Sequence, residues 1–473
     1  MDRAFSYDEV AYPATIFHHT HPERLFAMAF LHGLKPRPIA TARVLEIGGG
    51  VGMNVINMAV AYPEASFYSF DLSSVAVARG QAAIAACGLA NVRVEVGDIL
   101  DLADTMDGSY DYVICHGVYA WVPEAVRAAI MKLIGRVLSD DGVAFVSYNA
   151  KPGGHLRIAI REMLLRHVEG MDDPETRIRA GQAFLTAYGE KRDGDTDVQT
   201  AMRGLCRSMN AKRGAVLYHD ELGEVFAPQA LIEVARAAGA HGLQYLNDAG
   251  QGMLNDGFIE DDDEDSAEAV LIAAQRRDDY NMRFFRNSLF VRAGRTPTWR
   301  LDPERIKDLS VSSRAVKIGD STFAAKGAEF DITDPALAQV IERLSAAWPL
   351  RVPLRAVSRD DDIARTLFLQ FDEELVELHG APLPCATDMP KVPRLSPLVR
   401  YQVATGEDEI CALDHVRRRI EEPGPRAFIS MVDGKRTAAE LQLAWSQTEY
   451  AAETPFATAM ILALKAGLVM KDE

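Results

Sequence analysis

The stretch Val44-Leu45-Glu46-Ile47-Gly48-Gly49-Gly50-Val51-Gly52 decides how this chain is read. A short apolar run, Arg43–Ile47, ends on glycines and opens into a helical pattern over Asn54–Tyr62. Four similar runs follow: Ala65–Phe70 closing at Asp71, Val92–Val96 closing at Gly97-Asp98, Tyr112–Cys115 and Val143–Ser147. Helical patterns over Ser74–Cys87 and Glu124–Leu138 fall between them. Strands alternating with helices of this length predict an α/β, Rossmann-like parallel sheet with helices on both faces. A dinucleotide fingerprint GxGxxG would need glycine at position 53, where Met53 stands. The pattern present is E-x-G-x-G-x-G, and its glycines let the backbone approach a ligand without a Cβ in the way.

The rest of the chain bounds the setting. Its 473 residues predict about three domains at about 150 residues each. With 51 Lys and Arg against 68 Asp and Glu, the formal charge is −17. A negative field opposes sequence-independent binding to nucleic acid or anionic lipid, which rests on phosphate neutralisation. No apolar run reaches the ~18–20 residues of a membrane span. The opening Met1–Glu9 has neither a basic nor an apolar signal region. Cys87, Cys115, Cys206, Cys385 and Cys411 form no CxxC pair, which argues against a zinc cluster or disulfide framework. A cytoplasmic protein without a metal is the expectation.

Four regions are expected. Residues 1–155 hold the α/β domain behind an N-terminal segment, and 156–300 read as mostly helical, with Pro228–Ala240 as one helix and Arg157 and Arg161 on a solvated face. Within this region, the acidic run Glu260–Asp265 reads as a solvated loop. Residues 301–390 and 391–473 each suggest helix, turn, helix and terminal strand (Leu375–Leu378; Gly467–Met470), a loose repeat of two winged-helix-like α+β modules. Neither shows a sustained basic face, so an interaction module is the favoured reading over a DNA-binding one.

Glu46, two residues before the first glycine, gives the loop a spacing that resembles motif I of class I S-adenosylmethionine (SAM)-dependent methyltransferases, seven-stranded Rossmann-like enzymes. The resemblance implies that Gly48, Gly49, Gly50 and Gly52, with Glu46 and Asn54, cradle the amino-acid half of SAM. Asp71 ends the second strand, where a carboxylate can accept both ribose hydroxyls, with Leu72 beside it. Gly97-Asp98-Ile99 occupies the family's adenine position. Gly49 departs mildly from the family, where Cys or Thr is common.

The resemblance narrows further. Ser6–Tyr12, Phe17, Thr20–Leu25, His116-Gly117-Val118-Tyr119-Ala120-Trp121-Val122-Pro123, Ser147-Tyr148-Asn149 and Pro152-Gly153-Gly154 resemble bacterial methyltransferases with a regulatory domain, rickettsial protein-lysine methyltransferases among them. Tyr218–Leu222, Gly242–Leu246, Asp279–Arg286, His415, Arg426 and Asp433-Gly434 extend it along nearly the whole chain. It implies that the N-terminal arm folds over the cofactor, with Tyr12, Phe17 and His21 in the lid and the methyl-acceptor channel. The Asn/Asp-Pro-Pro-Tyr motif of adenine, cytosine and amide methyltransferases is absent.

Other readings of the same residues compete. Thr20-His21-Pro22-Glu23 is also a capping box ahead of a helix. His18, His19 and His21 lack a Cys or acid at ligand spacing, so no metal is expected. Tyr119, Trp121 and Tyr148 would form a closed aromatic pocket that disfavours a charged lysine, with Asn149 orienting the amine. His116 or His21 would serve if a base is needed. The resulting expectation is methyl transfer to a protein or peptide nitrogen, most simply lysine on a basic segment, by a homodimer whose later domains choose the substrate. The alternatives are a small-molecule N- or O-methyltransferase and a non-catalytic SAM-binding scaffold.

Overall fold

The computed structural model describes residues 6–212, 214–249, 266–299, 303–325, 327–372 and 375–471. After α1 (Ser6–Glu9) and α2 (Pro22–Leu31) come β1 (Arg43–Ile47), α3 (Met53–Ala61), β2 (Ser66–Asp71), α4 (Ser74–Cys87), β3 (Val92–Val96), α5 (Ile99–Thr105), β4 (Tyr110–Cys115), α6 (Glu124–Val137) and β5 (Leu138–Asn149). These five strands pair in parallel in the order β3-β2-β1-β4-β5. Local chemistry sets the helix ends. Ser73 caps α4 by accepting from the Ala76 amide, and Gly88 closes it in the left-handed conformation.

The sheet does not end at residue 155. Beyond α7 (Gly153–His167), α8 (Pro174–Gly189), α9 (Asp197–Asn210), α10 (Gly214–Leu222) and α11 (Leu231–Gly239), the chain returns as β6 (Leu243–Asp248), α12 (Ala267–Tyr280) and β7 (Phe285–Arg292). The full order is β3-β2-β1-β4-β5-β7-β6, with β7 antiparallel to both neighbours. The sheet is therefore mixed, and the region expected to be helical supplies two of its strands. Their pattern is weak because polar groups sit inside: Arg286 of β7 is buried on Asp278 (2.6 and 2.9 Å) and Asp248 (3.3 Å).

Apolar residues cover both faces. Val44, Phe67, Tyr112, Phe145 and Leu289 pack with α2 and α3, while Leu45, Val113, Val146, Tyr148 and Phe290 pack with α6 and α11. Helices α7–α10 enclose a core of their own around Leu164, Leu185, Cys206 and Leu217. Arg157 and Arg161, expected on a solvated face, are buried there instead. Arg157 grips both Glu221 oxygens (2.6 and 3.1 Å), a bidentate pairing that compensates its desolvation. The acidic run Glu260–Asp265 lies outside the described residues.

The two C-terminal modules differ. The first contains β8 (Ser310–Ser312), β9 (Val316–Lys317), β10 (Thr322–Ala325), β11 (Ala328–Asp331), α13 (Pro335–Ala347), β12 (Val352–Pro353), α14 (Leu354–Val357), α15 (Asp361–Asp372) and β13 (Glu377–His379). Its Val311, Ile341 and Leu378 continue the apolar core on the α2 side of the main sheet. The second contains α16 (Pro397–Ala404), β14 (Glu409–Cys411), β15 (Arg417–Arg419), α17 (Pro423–Met431), α18 (Ala438–Ser446) and α19 (Phe456–Lys465), with a separate core around Trp445 and Met460. The expected order of helices and a terminal extended segment recurs in both (α13, α15 and β13; α18, α19 and the bridged Val469–Met470), while the sheets differ: among the described residues the first has two three-stranded sheets and the second a two-stranded one. Among the described residues, no helix is long and apolar enough to cross a membrane, and no cluster of three or more His, Cys, Asp or Glu side chains could hold a metal.

The capping box expected at Thr20 and Glu23 does not form. His21 caps α2, its Nδ1 accepting from the Glu23 amide at 3.3 Å. The buried Glu23 carboxylate turns to Arg351 (2.5 Å) and His379 (3.0 Å), because a buried cation attracts it more strongly than a backbone amide.

Candidate active site

The carboxyl ends of β1, β2 and β3 build one half of the site. Gly48, Gly50 and Gly52 all take positive φ (67°, 58° and 73°), which a side chain would strain. The loop is pinned to β2 by Gly48 N–H on Phe70 O (3.0 Å) and by Gly50 N–H on Asp71 Oδ2 (2.8 Å). Asp71 Oδ1 accepts from Ser73 N–H (2.9 Å); burial raises the acid's pKa, opposed by these backbone hydrogen bonds. Asp98 caps α5 through Leu100 N–H (2.8 Å). Leu72, Val96 and Leu100 remain 51, 57 and 46% exposed, an apolar surface at the strand ends beside the loop. A Cβ on Gly50 would meet no atom within 4 Å, so the loop's outer side is open.

Behind the loop, Glu46 is buried. Burial raises its pKa to about 7 against the hydrogen bonds from Asn54 (2.9 Å) and Ser69 (3.4 Å). A Cβ on Gly49 would lie 2.2 Å from Ser69 Oγ and 2.5 Å from Glu46 Oε2, so the residue types common in relatives would force this pair apart.

The N-terminal arm crosses the front. Asp8 bonds Ser73 Oγ (2.5 Å), and the Val10 carbonyl meets His219 Nε2 of α10 (2.6 Å). Tyr12 lies on the His219 ring (5.7 Å between centroids). Phe17 N–H then donates to Asn54 Oδ1 (3.1 Å), and its ring sits 4.0 Å from that of His116.

The ends of β4, β5 and β7 form the other half. His116 is surrounded by Phe17, His19 (4.9 Å), Phe145 (6.0 Å) and Phe285 (6.3 Å). Burial, then the neighbouring His19, holds its pKa well below the usual histidine range, and burial brings His19 to about 4. Ser147 Oγ accepts from Gly117 N–H (2.9 Å) and lies 2.9 Å from His116 Nδ1. With the serine proton directed to Nδ1, the neutral ring carries its own proton on Nε2. Among the described residues, Asn149 Oδ1, Asn287 Oδ1 and His19 Nε2 are buried with no hydrogen-bond partner. Burying such groups is costly, which marks positions where a ligand would supply the missing donor.

Comparison with known proteins decides the family. Residues 44–142 match the model of a methyltransferase domain, and 213–292 that of a predicted methyltransferase regulatory domain. Protein RP028 of Rickettsia prowazekii is 35% identical over 221 residues, 46% of this chain and 88% of that one. The chain belongs to the SAM-dependent methyltransferases with a regulatory domain. Protein RP789 of the same organism is 34% identical over 243 residues, of which this chain spans 44%. PKMT2 from Rickettsia typhi superposes with a TM-score of 0.81 over 97% of this chain and 100% of that one, at 22% identity. A second PKMT2 structure, in complex with AdoHcy, also gives 0.81 over 97% of this chain and 99% of that one.

The cofactor of this methyltransferase is SAM, and the glycine-loop half fits it. An open loop without Cβ atoms, a buried carboxylate on β2 and exposed apolar side chains suit the amino-acid, ribose and adenine parts respectively. The matched regulatory segment is structurally part of the catalytic sheet, since it contains β6 and β7.

The acceptor residues expected from sequence are divided. His116, Asn149 and Phe17 lie on one side of the sheet. Tyr119 and Tyr148 pack together on the other (6.1 Å), with Tyr148 buried and its hydroxyl 3.0 Å from Ser288 Oγ. Trp121 stacks on Phe226 (4.9 Å) beneath the Arg157 and Arg161 guanidiniums. The expected aromatic pocket of Tyr119, Trp121 and Tyr148 is therefore corrected: aromatic walls exist around His116, made by Phe17, Phe145 and Phe285. Period-two alternation along β5 separates Tyr148 from Ser147 and Asn149 and could have shown this. His21 is corrected as a base candidate, since its Nδ1 is committed to the α2 cap and its ring packs on Tyr62 (5.7 Å) and His415 (4.8 Å). His19, Ser147 and Asn287 were missed. Ser147 and Asn287 are paired across β5 and β7, a register visible only once β7 is placed.

Proposed function

We propose that this enzyme methylates a protein or peptide side-chain amine, most specifically lysine. The observation that carries the reading is the buried Asn149 Oδ1, unpartnered among the described residues at the end of β5, on the same strand face as Ser147 and its neutral partner His116. An acceptor amine must lose a proton from a group of pKa about 10.4 before it has a lone pair to give. The burial around His116 disfavours the ammonium form by desolvation. Asn149 then accepts an N–H of the neutral amine and fixes the direction of its lone pair. Phe17 and the buried Phe145 shield the position from water, which would otherwise restore the charge. When bound, the cofactor supplies a methyl on a sulfonium, already activated for displacement. The protein's contribution is alignment and desolvation, with His116 neutral throughout.

Two further observations support a polypeptide acceptor. The net charge of −17 suits a basic segment. The likeness to PKMT2, a protein-lysine methyltransferase by its name, runs through the C-terminal modules that a metabolite would not require. The test is incubation with methyl-labelled SAM and a size-fractionated cell lysate, followed by amino-acid analysis of labelled protein. Label is expected as N-methyl-lysine in the macromolecular fraction. Label confined to small molecules would overturn the reading.

A further inference from the structure

The second C-terminal module reaches the cofactor site through one side chain. His415 lies in the turn between β14 and β15, in the left-handed region (φ 60°) that a non-glycine residue rarely adopts. The turn puts its ring against α3, where Asn57 Nδ2 lies 3.0 Å from Nδ1 and also donates to the Ala412 carbonyl (3.0 Å). Nδ1 is thereby the acceptor, and Nε2–H donates to Asn54 Oδ1 at 2.8 Å. Asn54 Oδ1 also takes Phe17 N–H (3.1 Å), while its Nδ2 donates to Glu46 Oε1 (2.9 Å) and Thr20 Oγ1 (3.0 Å). Two donors and two acceptors fill the capacity of this amide, so its orientation is fully determined.

We infer that His415 is a positioning residue for cofactor binding, acting through Asn54 on the motif carboxylate Glu46 and on the arm at Phe17. Without the His415 donor, Asn54 Oδ1 keeps Phe17 N–H as its one remaining donor, and the amide is held less firmly against Glu46 and the arm. The module then contributes directly to the SAM site and is more than a substrate-selecting appendage. The inference is independent of which acceptor is methylated.

The variants that separate this from simple packing are His415→Phe, which fills the space without a donor, and His415→Gln, which keeps a terminal N–H. Calorimetric titration with SAM is expected to show roughly ten-fold weaker binding for His415→Phe, the scale of one buried hydrogen bond. His415→Gln should restore binding to within about two-fold of wild type. Hydrogen exchange in residues 12–20 should rise in the Phe variant and return in the Gln variant. His32→Gln serves as the structural control. That histidine is also buried but bonds Thr298 and Asn247, so it should lower Tm and leave SAM affinity alone. Wild-type affinity in His415→Phe, or equal losses in both His415 variants at equal Tm, would overturn the inference. Should His415→Phe fail to fold, His415→Leu, which also lacks a donor, replaces it: weakened binding in His415→Leu with retention in His415→Gln supports the relay, and retention in both contradicts it.

Discussion

The two halves of the active site are built in opposite ways. The half we assign to the cofactor, residues 46–52, 71–72 and 97–99, comes from three consecutive strand ends, and its main polar groups are already tied to backbone: Asp71 to Gly50 and Ser73, Asp98 to Leu100. The half we assign to the acceptor gathers Phe17, His19, His116, Phe145, Asn149, Phe285 and Asn287 from four distant segments, and among the described residues it leaves polar atoms buried without partners. A ligand with a fixed shape and charge is met by a preformed loop. On the proposed reading, a site that strips water from an amine keeps its hydrogen bonds in reserve and relies on aromatic walls. Polar satisfaction in one half and its absence in the other follow from these two tasks.

The comparison can be broken first at Gly50. Its Cβ direction is open but its φ is positive, so Gly50→Val should fold yet strain the loop and fill its outer side. A loss of roughly a hundred-fold in SAM affinity is expected by calorimetry, with a Tm decrease on the scale of one strained residue, about 1–3 kcal/mol. On the acceptor side, Asn149→Leu removes an unsatisfied buried carbonyl. It should leave stability equal or higher while reducing kcat by roughly ten-fold at saturating SAM. Thermal melting alongside initial rates checks both parts, and a Tm loss with unchanged kcat would assign Asn149 to structure alone.

A smaller effect tests the charge of Glu46. Its folded pKa is raised to about 7 by burial, so the unliganded protein binds a proton there that the unfolded chain has lost. This group's contribution to stability is fully present below the ordinary glutamate range and declines as pH rises towards 7. A cationic cofactor prefers the carboxylate, so SAM affinity should fall several-fold from pH 8 to pH 6. Glu46→Gln should flatten that profile. The smallest effect is expected at Tyr148, across the sheet from His116. Tyr148→Phe loses one hydrogen bond to Ser288, about 1 kcal/mol of stability, with rates expected to stay within two-fold. A large rate loss would return Tyr148 to the acceptor chamber.

The same division explains what was legible in the sequence. The five parallel strands and the glycine loop follow from local patterns, because strands end at turns and α4 and α5 start at the Ser73 and Asp98 caps. The reading of 43–98 required no distant partner. Strands β6 and β7 were hidden because Arg286, Ser288 and Asp248 face inward, so their buried faces do not read as apolar. Arg157 was misplaced for a related reason: a helix pattern shows which positions share a face, and a distant Glu221 decides whether a cation there can be buried. Tyr148 was assigned to the wrong side although the period of the strand was available. His415 carried only its resemblance to relatives; its contact with Asn54 spans 361 positions and has no local signature.

The most direct test of the central claim is a calorimetric SAM titration of wild type, Asp71→Ala and Asn149→Leu, carried out side by side. Loss of charge-assisted hydrogen bonds predicts a fall of roughly a hundred-fold in affinity for Asp71→Ala, with Asn149→Leu unchanged. Wild-type binding by Asp71→Ala, or equal weakening in both variants, would contradict the placement of cofactor and acceptor in separate halves.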